Sequence, residues 1–372
     1  MPVKCHELIG QIEKWAPKYL AEEWDNIGLL LGSPAQDIHK IFVTLDVDQE
    51  AVQQAVSIGA NLIIAHHPLI FKGITNIRTD LPTGALLSDL IKHGIAVYAA
   101  HTNLDSAVGG VNDILAQKFN LKDIQPLTTV YQEKLHKLVV FVPNSHVEIV
   151  RNAMAKAGAG HIGNYSHCTF VTPGIGSFLP LPSANPFLGE SGKLEYVDES
   201  RLETIVPEHL RSPVIAAMLA AHPYEEVAYD EYLLLNKHHN YGLGRVGRLA
   251  EPVALADFIK QVKGALLIDS LNMAGSPKKL IRQVAVCGGS GASLIGNALK
   301  AGADVLVTGD VKYHEAQYAI AEGLAIIDAG HFATELPVVE GIRAYLTEQS
   351  QKNGWTVEIS VNNLSKDVLA SY

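Results

Sequence analysis

One stretch constrains the fold more than any other: the apolar run 61–65, Asn-Leu-Ile-Ile-Ala, closes abruptly on His66, His67 and Pro68. A short, mostly apolar run reads as a buried strand, and proline cannot continue a central strand, so the two imidazoles stand at its carboxyl end. In an open α/β sheet that edge is where ligands bind. Adjacent histidines there can face different sides of one site, and neutral imidazole is the commonest metal-ligating side chain. An ordinary loop surface is the competing reading, and the pair alone does not decide between them.

The chain around this run alternates helices and strands. A helix over 4–20, apolar at Leu8, Ile9, Ile12, Trp15 and Ala16, precedes a turn and short strand over 23–32, where Asp25 and Asn26 read as capping or turn residues. A strand at 40–45 and a helix at 49–58 lead into the 61–65 strand, a βαβ unit that implies parallel pairing. A helix over 84–93 then feeds a strand over 95–100 that ends in His101-Thr-Asn-Leu-Asp105. The far end repeats this order. A helix at 292–301 is followed by Gly302-Ala-Asp-Val-Leu-Val-Thr308, which matches Gly59-Ala-Asn-Leu-Ile-Ile-Ala65, and Gly309-Asp310 falls where His66-His67 fell. A helix over 314–322 and a strand over 324–328 then lead to His331-Phe-Ala-Thr-Glu335. His101 and Asp105 follow one strand with the same spacing that His331 and Glu335 show after its counterpart. The pattern predicts a duplicated α/β core with parallel-rich sheets, its halves at 1–126 and 242–372.

Between the halves, 127–241 predicts strand 135–142, helix 147–157, strands 168–171 and 193–205, helix 207–221 and strand 227–235. This βαββαβ order is that of a ferredoxin-like α+β domain. Pro, Gly and Ser gather over 172–192, which is expected to be a long loop between the middle strands. Gly242, Gly244 and Gly247 have GxGxxG spacing, but no convincing helix follows, so the dinucleotide signal is weak.

His66, His67, Asp105, His331 and Glu335 each lie just past a predicted parallel strand, and hence on one sheet edge. Three imidazoles and two carboxylates can hold two divalent ions, a carboxylate bridging them. Taken singly, Asp105 is equally an N-cap and Glu335 a first-turn acid; their recurrence across two related halves favours the metal site. His101 occupies His331's place in the half that already supplies two imidazoles, which gives it an outer-sphere or substrate-facing role and makes it the candidate general base. His314 and Glu315 either border the site or mark a surface helix start. Ser290, in Gly288-Gly-Ser-Gly291, lacks a nucleophile elbow or Walker lysine and reads as a strand-to-helix turn able to meet an anion.

Taken in order, Glu23-Trp-Asp-Asn-Ile-Gly-Leu29, His66-His-Pro-Leu-Ile-Phe71, His101-Thr-Asn-Leu-Asp105, Thr308-Gly-Asp310 and Gly330-His-Phe-Ala-Thr-Glu335 resemble the family of GTP cyclohydrolase I type 2 homologues, also called NIF-three-like proteins. The resemblance implies an α/β fold, a dinuclear metal site on His66, His67, Asp105, His331 and Glu335, and a ring-shaped homohexamer. The middle segment, with Gly160-His-Ile-Gly-Asn-Tyr165 and Ala221-His-Pro-Tyr-Glu-Glu-Val227, is similar to the extra domain of longer bacterial members, which is PII- and CutA-like.

The activity expected is that of a metal-dependent hydrolase, of the cyclohydrolase or amidohydrolytic kind, acting on a nucleotide or pterin-like small molecule. It would carry two divalent ions per chain, zinc first and iron or manganese next. The alternative is a metal-binding regulatory or scaffold protein whose inserted domain binds a ligand or partner. A net charge of −10 disfavours a nucleic-acid footprint. No apolar run approaches the ~18 residues of a membrane span. Residues 1–7 show no basic region before an apolar core, so cytoplasm is the expected location. Cys5, Cys168 and Cys287 form no CxxC pair and are expected to be reduced and structural.

Overall fold

The computed structural model describes residues 3–236 and 240–369. The chain divides into two compact units, 1–131 with 241–372, and 132–240. Residues 127–130 pair with the returning chain of the first unit, Leu127 N–H donating to Gly244 and Val130 N–H to Tyr241.

In the first unit, Lys40–Thr44, Leu62–Ala65 and Ala96–Ala99 lie side by side and parallel. Gly28–Leu31 is antiparallel beyond Ala96–Ala99, and Glu358–Val361 adds parallel to Lys40–Thr44. A second sheet has the same parallel run in Leu280–Ser290, Val305–Gly309 and Ala325–Asp328, with Asn272–Ala274 antiparallel beyond the last. Arg245–Ala254 and then Lys122–Pro126 complete its other side. The expected halves therefore exchange edge strands: Lys122–Pro126 joins the second sheet and Glu358–Val361 the first. An edge strand is recruited by backbone hydrogen bonds, so its periodicity carries no record of which sheet it joins.

Every residue of Leu62–Ala65 and Ala96–Ala99 is buried, as unbroken apolar runs require when both faces of a parallel sheet are covered. On one face, Asp48 caps the helix Gln49–Ser57 by accepting from Ala51 N–H at 2.7 Å, and Ala51, Val52 and Ala55 pack on Phe42, Ile63 and Val97. On the other, Leu8 and Ile12 of the helix Cys5–Trp15 and Ile342 and Leu346 of the helix Pro337–Asn353 meet Ile41, Val43, Leu62 and Ile64. The helix expected over 4–20 stops at Trp15 because Pro17 cannot continue it; Lys18–Leu20 is a separate short turn.

In the second unit four antiparallel strands stand in the order Thr169–Phe178, Glu195–Pro207, Leu135–Pro143, Tyr229–Leu234. The helices Val147–Lys156 and Arg211–Ala221 supply Val150, Met154, Val214 and Met218 to a core with Leu138, Val140, Val142, Leu202 and Val206. The long loop expected from 172 begins only after Phe178. Pro173, Gly174 and Gly176 are strand residues, tolerated because Thr169–Phe178 is the edge of its sheet. No helix among the described residues is long and apolar enough to cross a membrane.

Candidate metal centre

His66 and His67 leave the strand Leu62–Ala65 with their backbone N–H groups still donating to Thr44 and Leu45, at 3.2 and 2.9 Å, which fixes both imidazoles to the sheet edge. His101 follows the strand Ala96–Ala99 after one residue, and the short helix Thr102–Ser106 carries Asp105. From the second sheet, the helix His331–Glu335 starts after Gly330 and turns Glu335 inward, where it is buried. Gly289, at φ +63°, passes beneath it: a Cβ there would lie 2.1 Å from Glu335 Oε1, so the strand end approaches the carboxylate only without a side chain.

The five expected residues converge, and His101 joins them. Among the described residues, three overlapping groups place their donor atoms within 4.8 Å of one another: His66, His67 and His101; His67, His331 and Glu335; His66, Asp105 and Glu335. Glu335 Oε2 lies 3.0 Å from Nε2 of both His67 and His331, and its Oε1 lies 3.8 Å from His66 Nε2. His66 Nε2 and Asp105 Oδ1 face each other at 3.6 Å, both buried and neither with a hydrogen-bond partner among the described residues.

Each imidazole is held by its other nitrogen. His66 Nδ1 meets the Ala100 carbonyl at 2.8 Å, His67 Nδ1 meets Asp46 at 2.7 Å, His101 Nδ1 meets Asp25 at 2.8 Å and His331 Nδ1 meets Asp310 at 2.6 Å. Anchoring Nδ1 on a carbonyl or carboxylate fixes the ring and leaves Nε2 for the site, the support that metal-ligating histidines commonly have. Asp25, read from sequence as a turn residue, is a fully buried carboxylate that also accepts from Thr102 N–H and Oγ1, at 3.0 and 2.5 Å. Sequence reasoning misses Asp46 as well. The available signal is positional, since Asp46 and Asp310 both lie just past a parallel strand, after Lys40–Thr44 and Val305–Gly309 respectively. His314 and Glu315 lie outside the three groups: Glu315 accepts from Lys312 N–H at 2.8 Å and His314 is exposed.

The charges interlock. Burial would lower His67, but hydrogen bonds to Asp46 and Glu335 outweigh it and push its pKa up to about 10. The hydrogen bond to Glu335 lifts His331 to about 9 against burial, with Asp310 adding to it. Burial opposes ionisation of Glu335, yet the hydrogen bond from His331, the neighbouring His66 and the hydrogen bond from His67 hold it well below the usual carboxylate range. Asp105 is raised by burial, against the pull of His66. Burial of Asp25 is likewise outweighed by hydrogen bonds from His101 and Thr102, which hold it at about 2. A cavity of about 570 Å3 lies over the cluster, with Trp24, Phe71, Ser290 and Ser293 in its walls. The Trp24 and Phe71 rings are 5.7 Å apart, and Trp24 stands edge-on to His101 at 6.0 Å.

The family model described as Duf34/NIF3 (NGG1p interacting factor 3) matches residues 3–368. Proteins named GTP cyclohydrolase 1 type 2 homolog from Halalkalibacterium halodurans and Bacillus subtilis are each 45% identical over 360 residues, 97% of this chain and 96% of theirs. The crystal structure of a Bacillus cereus protein related to NIF3 aligns with a TM-score of 0.93 at 44% identity, covering 100% of both chains.

Proposed function

Because the chain belongs to the Duf34/NIF3 family, we propose that it is a dinuclear metal-dependent hydrolase, of the cyclohydrolase or amidohydrolytic kind, acting on a nucleotide or pterin-like small molecule. The observation that carries this reading is the facing pair of His66 Nε2 and Asp105 Oδ1, buried and without hydrogen-bond partners among the described residues. An unsatisfied buried polar group costs about 1–3 kcal/mol, and a cation shared by the two would offset that cost. Imidazole and carboxylate donors together suit zinc first, and iron or manganese next. His66, Asp105 and Glu335 would hold one ion and His67, His331 and Glu335 the other.

A divalent ion, when bound, polarises a substrate oxygen and makes water more acidic. His101, steered by Asp25 through Nδ1, presents Nε2 to take up or return a proton. Trp24 and Phe71, both about half exposed, offer an aromatic wall on which a flat heterocycle can lie. Glu335 lines the cavity, and Gly289 packs against it.

A metabolite screen with metal-loaded protein, run against His66→Ala, tests the reading. Turnover that disappears with the metal is expected. Metal binding without turnover of any nucleotide or pterin would instead favour a metal-bearing regulatory or scaffold protein whose inserted unit binds a ligand. A cavity within 132–240 speaks for that second reading. The strand order of this unit, with its two helices, supports taking it as ferredoxin-like and of the PII and CutA kind. A cytoplasmic homohexamer belongs to the same proposal, and sedimentation at micromolar concentration reads the assembly.

A further inference from the structure

The segment Ala221-His-Pro-Tyr-Glu-Glu-Val227 takes no part in the metal cluster, yet its Tyr224 holds a buried carboxylate of the same unit. Residues of 132–240 alone line a cavity of about 920 Å3, among them Phe141, Phe178, Phe187, Tyr224 and Glu199. Glu199, only 8% exposed, comes from the strand Glu195–Pro207 and lies opposite Gly174 of the edge strand. A Cβ on Gly176, further along that edge strand, would lie 2.1 Å from Glu199 Oε2, so the glycine leaves the space that the carboxylate fills.

The carboxylate is also oriented. Tyr224 donates its hydroxyl to Glu199 Oε1 at 2.8 Å. His222 fixes Tyr224 in turn: its Nε2–H donates to the Phe141 carbonyl at 3.0 Å, its Nδ1 accepts from Tyr224 N–H at 3.2 Å, and the two rings meet edge to face at 5.0 Å. Phe178 and Phe187 stand 6.1 and 6.2 Å from the Tyr224 ring. Glu225 accepts from Asn185 N–H at 2.9 Å, which ties down the loop that brings Phe187 to the cavity. Arg201, the basic side chain in the lining, pairs with Glu203 at 2.8 Å, while Glu226 adds a further acid to the lining.

An oriented carboxylate among aromatic rings is complementary to a cation that carries a flat or apolar body. The charge meets the carboxylate, the rings attract the cation through their faces, and the body covers apolar wall. We propose that this cavity is a binding site for a small organic cation, an ammonium or amidinium group on an aromatic or apolar body, with the charge on Glu199 and the body against Phe178, Phe187 and Tyr224. The site is separate from the hydrolase reading and does not depend on it.

Calorimetric titration of the full chain with benzamidinium, benzamide and benzoate tests the proposal, because the three share a ring and differ in charge. Benzamidinium is expected to bind at least about tenfold more tightly than benzamide, with benzoate weakest. Glu199→Gln keeps an acceptor for Tyr224 and should abolish the preference. Phe187→Ala alters an exposed loop residue, so its fold is not at risk; it should weaken benzamidinium by about fivefold or more with Tm unchanged. His66→Ala should leave the affinity as it is. Equal affinity for benzamidinium and benzamide, no benzamidinium binding at millimolar concentration, or a folded Glu199→Gln that keeps the preference would each overturn the site. So would loss of binding in His66→Ala, which would move the cation to the metal cluster, or unchanged affinity in Phe187→Ala.

Discussion

Glu335 does more than any other single residue in the candidate metal centre, since its two oxygens lie within 3.0 to 3.8 Å of three imidazoles. Glu335→Gln keeps the shape and removes the charge, and is expected to lower metal content well below that of His101→Ala when both are dialysed and measured by elemental analysis. Equal losses would contradict that ranking. The same contacts set a pH dependence. With pKa values raised to about 10 and about 9, His67 and His331 each carry a proton at neutral pH in the metal-free chain. Loading metal at pH 7 should therefore release about one proton from each of these two imidazoles, and apparent affinity should climb until the pH passes 9 to 10. For the metal-free fold the sign is opposite. The pairs stabilise it fully below the ordinary histidine value of 6.5 and lose that contribution as pH rises through 9 to 10. Calorimetry in buffers of different ionisation enthalpy measures the protons; a release that stays flat from pH 7 to 10 would refute the assignment. His66 and His67 were legible in the sequence because they follow an apolar run directly, and Asp105, His331 and Glu335 because a histidine and an acid four residues on recur shortly after a strand in each half. Asp25 was not, because its partner His101 is 76 positions away and only folding makes the pair.

Elements were legible where burial is two-sided. The run expected at 40–45 is the strand Lys40–Thr44, and that expected at 95–100 is Ala96–Ala99, because apolar residues with no polar alternation leave little choice. Edge strands carry no such mark. Lys122–Pro126 has no fully buried residue, and its place in the second sheet follows from backbone pairing with Arg245–Ala254. The end of Leu280–Ser290 shows how tightly one element shapes the site. Gly289→Ala would put a methyl group at 2.1 Å from Glu335 Oε1 with the backbone at φ +63°, and should cost about 1–3 kcal/mol together with a fall in bound metal. Gly296→Ala is the matched control: it lies in the helix Ile295–Lys300 with open space at its Cβ, and should be neutral or stabilising by up to about 1 kcal/mol. Thermal melts of the two variants decide this, and a Gly289→Ala protein as stable and metal-rich as the parent would show that Glu335 has room to move.

On the scale of the whole molecule, the inserted unit leaves and re-enters the chain at one place. Tyr131–Gln132 and Asn240–Tyr241 form a two-stranded ladder, and Val130 N–H donates to the Tyr241 carbonyl at 2.8 Å, so the cut ends of the first unit are already adjacent. The insert has its own core of Leu138, Val140, Val142, Val150, Met154, Leu202, Val206, Val214 and Met218, and its antiparallel sheet needs no strand from outside 132–240. A unit that closes its own hydrogen bonds and buries its own apolar face meets the physical conditions for folding alone. Residues 132–240 expressed alone should therefore melt cooperatively, and the first unit joined from 131 to 241 by a short Gly-Ser linker should still take up metal. Benzamidinium binding should travel with 132–240 and metal binding with the remainder. An insert that stays unfolded, or a joined first unit that loses its metal, would show that one unit depends on the other for its structure. Metal and cation binding that separate cleanly between the two pieces would mean that the chain carries two sites of different chemistry, each built by residues of a single unit.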